Sequence, residues 1–299
     1  MQTLTIAPSP TRLPFTPEIE ARTAPIYDKL KSQIPSVEWQ MFAPEIDAIN
    51  RLKRERNAIV LAHNYQSPEI FHGVADIVGD SLALAREAVT SDADVIVLAG
   101  VHFMAETAKL VNPDKIVLMP DMEACCTSGN VVKVIESLGV PRVLCIPDEY
   151  LASYVATKTD VEIISWNGRC EVHEEFTGED IQTFRDSMDD VVVVAHPECP
   201  PDVIKASDFT GSTAEMINYV RTNRPANVLL LTECSMSANI AAEVPEVSFV
   251  PSCGLCPHMK RITLPKIRRA LETMQPQVEV DPDVAARARA AVERMLAVA

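Results

Sequence analysis

The sequence predicts an α/β fold of parallel sheets, and three observations carry that prediction. Eight short runs are continuously apolar and β-branched, the pattern of strands buried on both faces. Amphipathic stretches of helical period separate them. Loops rich in Gly, Ser, Thr, Asn and Asp stand where strand gives way to helix, so strand and helix alternate along the chain.

In order, residues 1–45 read as a Pro-rich, poorly ordered arm leading into a helix start, and a helical stretch covers Glu45–Arg56. Strands are expected at Ala58–Ala62, Val95–Ala99, Lys115–Met119, Arg142–Ile146, Glu162–Ser165, Val191–Ala195, Asn227–Leu231 and Val247–Val250. Helices are expected at Ser81–Thr90, Ala105–Leu110, Val131–Leu138, Ala214–Thr222 and Leu264–Met274. The strands fall into three groups, 46–124, 125–188 and 189–278, taken as three small pseudo-repeated α/β domains around a central site. The middle group offers about two strands where its neighbours offer about three, so the middle domain is read as truncated. Residues 279–299 read as a peripheral helix.

The 299 residues suffice for a large core, and 47% of them are apolar. A net charge of −15 argues against a nucleic-acid binder. No stretch approaches the ~20 apolar residues of a membrane span, and the N-terminal arm lacks the apolar centre of a signal peptide. A cytoplasmic chain without membrane partners is therefore expected. In such a chain the eight cysteines are thiols or metal ligands rather than disulfides. Cys145, in the run RVLCIP, reads as a small buried apolar residue.

Each strand group carries one loop of the same kind before a helix: Gly79-Asp80-Ser81, Thr127-Ser128-Gly129-Asn130 and Gly211-Ser212-Thr213. A helix N-terminus presents unpaired N–H groups and partial positive charge, which suit a carboxylate or phosphate. Ser and Thr are also ordinary caps there. His63 and Tyr65, in AHNYQ, follow directly on a buried strand, as do His196 and Glu198 in AHPEC. Parallel sheets bind ligands at these carboxyl ends. A histidine and a carboxylate two apart can serve one cleft as proton-transfer groups if the chain bends at Pro197. His102 stands at a strand end too, whereas His72 and His258 read as surface or packing residues.

Three cysteines, Cys126, Cys170 and Cys256, lie in polar loops far apart in sequence. If the fold gathers them, they hold an iron–sulfur cubane with one iron position open, a Lewis acid. Cys253-Gly-Leu-Cys256-Pro also fits a zinc or dithiol site, and Cys199 or Cys234 could substitute for a ligand.

The motifs AHNYQ, ADIVGDSLALA, AGVHFMAETAKL, CEVHEEFT, AHPECPPDVIKASDFTGST and CPHMK, in this order, resemble the quinolinate synthase family, the A protein of NAD biosynthesis. The resemblance implies a reaction in which iminoaspartate and dihydroxyacetone phosphate condense to quinolinate, with loss of phosphate and water. It implies a [4Fe–4S] cluster with three cysteine ligands, Cys126, Cys170 and Cys256. It implies substrate contacts by His63, Tyr65, Ser81, Ser128, His196, Glu198, Ser212 and Thr213, with His173 near the cluster. L-aspartate oxidase, which supplies iminoaspartate, is the implied functional partner.

The chain departs from the family between Ala124 and Thr127. There Asp121-Met122-Glu123-Ala124 runs straight into Cys125-Cys126-Thr127-Ser128, without the family's intervening helix, strand and Y-x-N motif. Two alignments compete for Cys126. From Glu123-Ala124 forward it is the cluster cysteine of A-G-C-S; from Thr127-Ser128 backward it is the second, non-ligand cysteine of C-C-T-S. The alternative function is a degenerate homologue that keeps the scaffold and a metal or anion site.

Overall fold

The computed structural model describes residues 13–121, 130–252 and 254–298. Two helices, α1 (Pro17–Leu30) and α2 (Ser36–Glu55), come first. The helix therefore starts well inside the stretch expected to be an arm. Thr16 caps α1 and Pro17 stands at its first position, where a missing N–H costs nothing.

The first sheet is built from β1 (Ala58–His63), α3 (Pro68–Phe71), β2 (Ile77–Gly79), α4 (Ser81–Thr90), β3 (Val95–Ala99), α5 (His102–Val111) and β4 (Ile116–Leu118). Its strand order is β2-β1-β3-β4, all parallel. The middle sheet contains β5 (Arg142–Cys145) and β6 (Glu162–Ser165), with α6 (Val131–Ser137) before them and α7 (Glu149–Ala156) between them. A 3₁₀ turn at His173–Glu175 and α8 (Gly178–Ser187) lead onward. The third sheet follows from β7 (Val191–Ala195), α9 (Pro201–Ala206), β8 (Phe209–Thr210), α10 (Thr213–Asn223), β9 (Asn227–Leu231), α11 (Ser235–Ala241) and β10 (Ser248–Phe249). The chain closes with α12 (Leu264–Thr273), which packs on α2, and α13 (Pro282–Ala297), which packs on α5.

The third sheet has the order β8-β7-β9-β10, the order and connectivity of the first. In both, the first strand in sequence is interior to the sheet and the second is an edge strand of only two or three residues. Those short edge strands, β2 and β8, were not expected from the sequence. They are too short to form an apolar run, yet each leads directly into a polar loop, at Asp80 and at Gly211. The middle sheet pairs only β5 with β6 among the described residues.

Both large sheets are covered on both faces, which explains their unbroken apolar strands. Alternate residues of β1 and β3 divide between two clusters, Leu61, Ile96 and Leu98 on one side and Val60, Ala62, Val95 and Val97 on the other. The first cluster continues through Val194, Val228 and Leu230, so the two large sheets share one core. Each such Val, Leu or Ile side chain contributes about 1.5–3 kcal/mol by leaving water. The middle sheet has its own small cluster of Ile135, Leu151 and Val155, with Val143 and Ile163 packed against it.

Candidate active site

The carboxyl ends of β1 and β7 bring their side chains into one cavity of about 290 Å³. Its walls include His63, Tyr65, Ser81, Cys170, His173, His196, Glu198, Thr213 and Cys256. Nine of the twelve residues expected from the sequence thus converge there. The chain does turn at Pro197, so His196 and Glu198 face the same space. Cys126 and Ser128 lie outside the described residues, as do Cys125 and Cys253. Ser212 differs from expectation. It caps α10 in a reciprocal box, taking the Glu215 N–H on its hydroxyl while its own N–H donates to the Glu215 carboxylate at 2.7 Å. Its donor is thus already satisfied by Glu215, and it does not line the cavity.

A chain of contacts runs through the cavity wall. The Tyr65 hydroxyl lies 2.6 Å from Thr232 Oγ1, which is 3.0 Å from His173 Nε2. On the other side of the ring, His173 Nδ1 is 3.1 Å from Glu198 Oε2. His196 stacks on His173 with ring centroids 4.5 Å apart, and its Nδ1 is 3.7 Å from the same carboxylate oxygen. His63 Nδ1 accepts the Tyr65 backbone N–H at 3.2 Å.

Burial makes these groups unequal. It lowers the pKa of His63 to about 4, against a smaller opposing pull from the Glu198 charge. It lowers that of His196 to about 3, helped by the positive charge of His173. Both rings are therefore neutral near pH 7 and able to accept a proton. Burial also opposes charge on His173, but hydrogen bonds to Cys170 and Glu198 outweigh it and raise its pKa to about 10. Burial raises the Tyr65 phenol well above its ordinary range. Burial opposes charge on Glu198, yet its carboxyl stays below the usual range, held there by the charged His173 ring 3.1 Å away.

Beside this network stand the thiols. Cys170, His173 and Glu198 place one donor atom each within 4.8 Å of one another. Cys256 lines the same cavity and its thiol is pushed up by burial. Two soft thiol donors facing one cavity suit a thiolate-held metal group such as an iron–sulfur cluster. Cys199 is no substitute: it is buried and its thiol donates to Leu231 O at 3.4 Å, away from the cavity. Cys145 is buried as expected.

Sequence reading missed several contributors. Thr232 and Glu233 follow β9 directly, and the strand-end rule that found His63 and His196 would have found them. Lys260 pairs with the wholly buried Glu233 at 2.8 Å and donates to Tyr65 O at 3.0 Å, fixing the backbone of that residue. His258, read as a surface or packing residue, is exposed as expected; it also lines the cavity and lies 2.8 Å from Glu171. His72 is a packing residue as expected, its ring nitrogen 3.2 Å from Asn239 O.

Buried histidines, a tyrosine, a carboxylate and two thiols gathered in one cavity at the strand ends of parallel sheets are the equipment of an α/β enzyme. The family profile described as NadA, quinolinate synthetase A protein, matches residues 47–126 and 122–297, so the chain belongs to the quinolinate synthase family. It is 56% identical to quinolinate synthase 1 of Mesorhizobium japonicum, over 92% of this chain and 97% of the relative. It is 58% identical to the quinolinate synthase of Xylella fastidiosa, over 86% of this chain and 88% of the relative. To that of Caulobacter vibrioides it is 48% identical, over 97% and 91%.

The two matched pieces overlap on residues 122–126, so two parts of the family profile claim the same five residues. The M. japonicum alignment spans 315 positions, whereas 92% of 299 residues is about 275; about 40 positions therefore have no residue in this chain. Both observations agree with the internal gap read between Ala124 and Thr127.

Proposed function

We propose that this chain condenses iminoaspartate with dihydroxyacetone phosphate to quinolinate, releasing phosphate and water, as a step toward NAD. The observation that carries this reading is the convergence of His63, Tyr65, His196 and Glu198 with Cys170 and Cys256 in one cavity. Cys126, Cys170 and Cys256 would hold a [4Fe–4S] cluster. When bound, that cluster supplies a Lewis-acidic iron for a substrate oxygen or nitrogen.

The chain's own groups then have distinct tasks. His63 and His196, neutral through burial, accept protons during condensation and dehydration. The Tyr65 hydroxyl, held by Thr232, is placed to deliver a proton to a departing oxygen. Glu198 holds the His173 ring in place. Ser81 and Thr213, at the N-termini of α4 and α10, offer hydroxyls where helix ends favour anions, which suits the carboxylates and the phosphate. L-aspartate oxidase is the proposed source of iminoaspartate, and the cytoplasm the proposed compartment; no described helix is long and apolar enough to cross a membrane.

The test is anaerobic reconstitution followed by assay of quinolinate. Brown protein that forms quinolinate, and loses both colour and activity in Cys170→Ser and Cys256→Ser, supports the reading. Bleaching by Cys126→Ser but not Cys125→Ser assigns the third ligand. A fully loaded protein that forms no quinolinate would refute the proposal.

A further inference from the structure

We propose that Asp148 is a positioning residue for the ligand Cys170, fastening the Cys170 backbone to the start of α7; this rests on the reading of Cys170 as a cluster ligand. Asp148 is 5% exposed and follows the end of β5. One carboxylate oxygen, Oδ1, accepts the Leu151 N–H at 2.7 Å and caps α7. The other, Oδ2, accepts the Cys170 N–H at 2.9 Å, across 22 positions of sequence. One carboxylate thus satisfies two N–H donors, one in the first turn of α7 and one in the Cys170 loop.

The two loops are the ones that leave β5 and β6, and they are joined at more than this point. Trp166 N–H donates to Cys145 O at 3.2 Å, and Glu149 N–H to Gly168 O at 2.7 Å. A Cβ on Gly168 would lie 2.4 Å from Pro147 O, so only glycine permits that approach. The Arg169–Glu149 pair at 3.1 Å closes the outside, where solvent weakens it. The Asp148 link springs from a buried carboxylate and is the one that acts on the ligand residue itself. Such a link matters here because the middle sheet has two strands among the described residues, so the Cys170 loop has little sheet behind it. A ligand on a loop keeps its geometry only through the groups that hold the loop.

Neither of the usual neutral caps does both tasks. Serine caps a helix but is too short to reach the second loop. Asparagine offers one acceptor oxygen and sets an NH₂ group against the other donor. Asp148→Ser therefore separates the cap from the tether, and Glu149→Gln, which touches only the outer pair, is the control.

The experiment reads three quantities. In the cofactor-free chain, the rate of N-ethylmaleimide alkylation at Cys170, followed by peptide mass, should rise in Asp148→Ser and stay unchanged in Glu149→Gln. After anaerobic reconstitution, loss of the thiolate-to-iron absorbance to a chelator should quicken in Asp148→Ser by about 10- to 100-fold, the usual consequence of losing a group that orients a metal ligand. In the unmodified cofactor-free chain, hydrogen exchange at the Cys170 amide should be slow, which needs no variant to fold. Wild-type alkylation and bleaching rates in a folded Asp148→Ser protein, or a Cys170 amide that exchanges at the solvent rate, would reduce Asp148 to a helix cap and overturn the proposal. A wild-type chain that takes up no iron would refute the cluster reading alone, while alkylation and exchange still decide the tether.

Discussion

The Asn64 side-chain amide donates to the Thr213 hydroxyl at 2.9 Å, joining the end of β1 to the start of α10 across 149 positions of sequence. Both residues are buried. Asn239 holds this junction from the other side, donating to Asn64 O at 3.2 Å and Gln66 O at 2.8 Å. The bond fixes how far the two large sheets stand apart, and so the width of the cavity between them. Asn64→Ala should cost about 1–3 kcal/mol in urea denaturation, because the truncated contact leaves buried polar groups unpaired. It should also raise KM more than it lowers kcat, since Thr213 is read as a binding group. An unchanged KM would mean that the junction serves stability alone.

Thr232 is the next test. Its hydroxyl bridges the Tyr65 phenol and the His173 ring, and Tyr65 has no shorter contact with that ring than 3.5 Å. Thr232→Val keeps the shape and removes the hydroxyl, so Tyr65 loses its fixed orientation. The expected loss in kcat is on the order of 10²-fold, the scale of a misplaced general acid. Thr232→Ser restores the hydroxyl and should restore most of the rate. Equal losses in both variants would point to packing instead.

Acid stability follows from the buried histidines. Burial lowers the pKa of His72, partly offset by its backbone partner Asn239 and by Glu243 and reinforced by Lys29. His63 falls to about 4 by burial. In the unfolded chain both titrate near ~6.5. Below that pH the unfolded chain takes protons that the folded chain refuses, so stability is full above ~6.5 and declines as pH falls toward 4. His173, near 10 when folded, pulls the other way close to ~6.5, where its unfolded form is still gaining its proton, and adds no slope well below that pH, where both states carry it. Urea midpoints of the cofactor-free chain should therefore drop between pH 6.5 and 4.5, and His72→Gln should flatten part of the drop. A midpoint that rises on acidification contradicts the burial of these rings as neutral groups.

The two large sheets were legible because their strands are buried on both faces and announce themselves as unbroken runs, such as Val95–Ala99. The same rule located His63 and His196 at strand ends. The short strands β2 and β8 were not legible, since two or three residues ending in Gly or Thr make no pattern. The Tyr65–Thr232–His173–Glu198 contacts were not legible either. They join residues 108 and 167 positions apart, a distance that no local pattern reports. Helix α1 was missed because its prolines, which start the helix and sit within it, read as breakers. The Ser212 cap was not legible because a capping serine and an anion-binding serine look alike in sequence until the Glu215 box is seen.

The middle sheet gives the last prediction. In its register Leu144 pairs with Ile164, and paired residues of a parallel sheet point to one face. On that face Leu144 is 62% exposed, Ile146 63%, Ile164 43% and Trp166 60%, whereas the opposite face packs Val143 and Ile163 against Ile135, Leu151 and Val155. The β5–β6 pair matches the last two strands of each large sheet, β3–β4 and β9–β10. Two earlier strands with their crossover helices would complete such a sheet, the helices lying on its faces, and about 40 positions missing relative to the M. japonicum enzyme suffice for them. The bare face is then the surface those elements would cover. Of the two tryptophans, Trp39 is 3% exposed. Trp39→Phe should therefore leave a red-shifted emission that iodide quenches, and Trp166→Phe a blue-shifted one that it does not. Leu144→Lys should change stability by less than about 0.5 kcal/mol and suppress aggregation on heating, because it interrupts an exposed apolar patch. Blue-shifted, unquenched emission from Trp166 would mean that the face is covered in solution, and the reading of a bare sheet would be wrong.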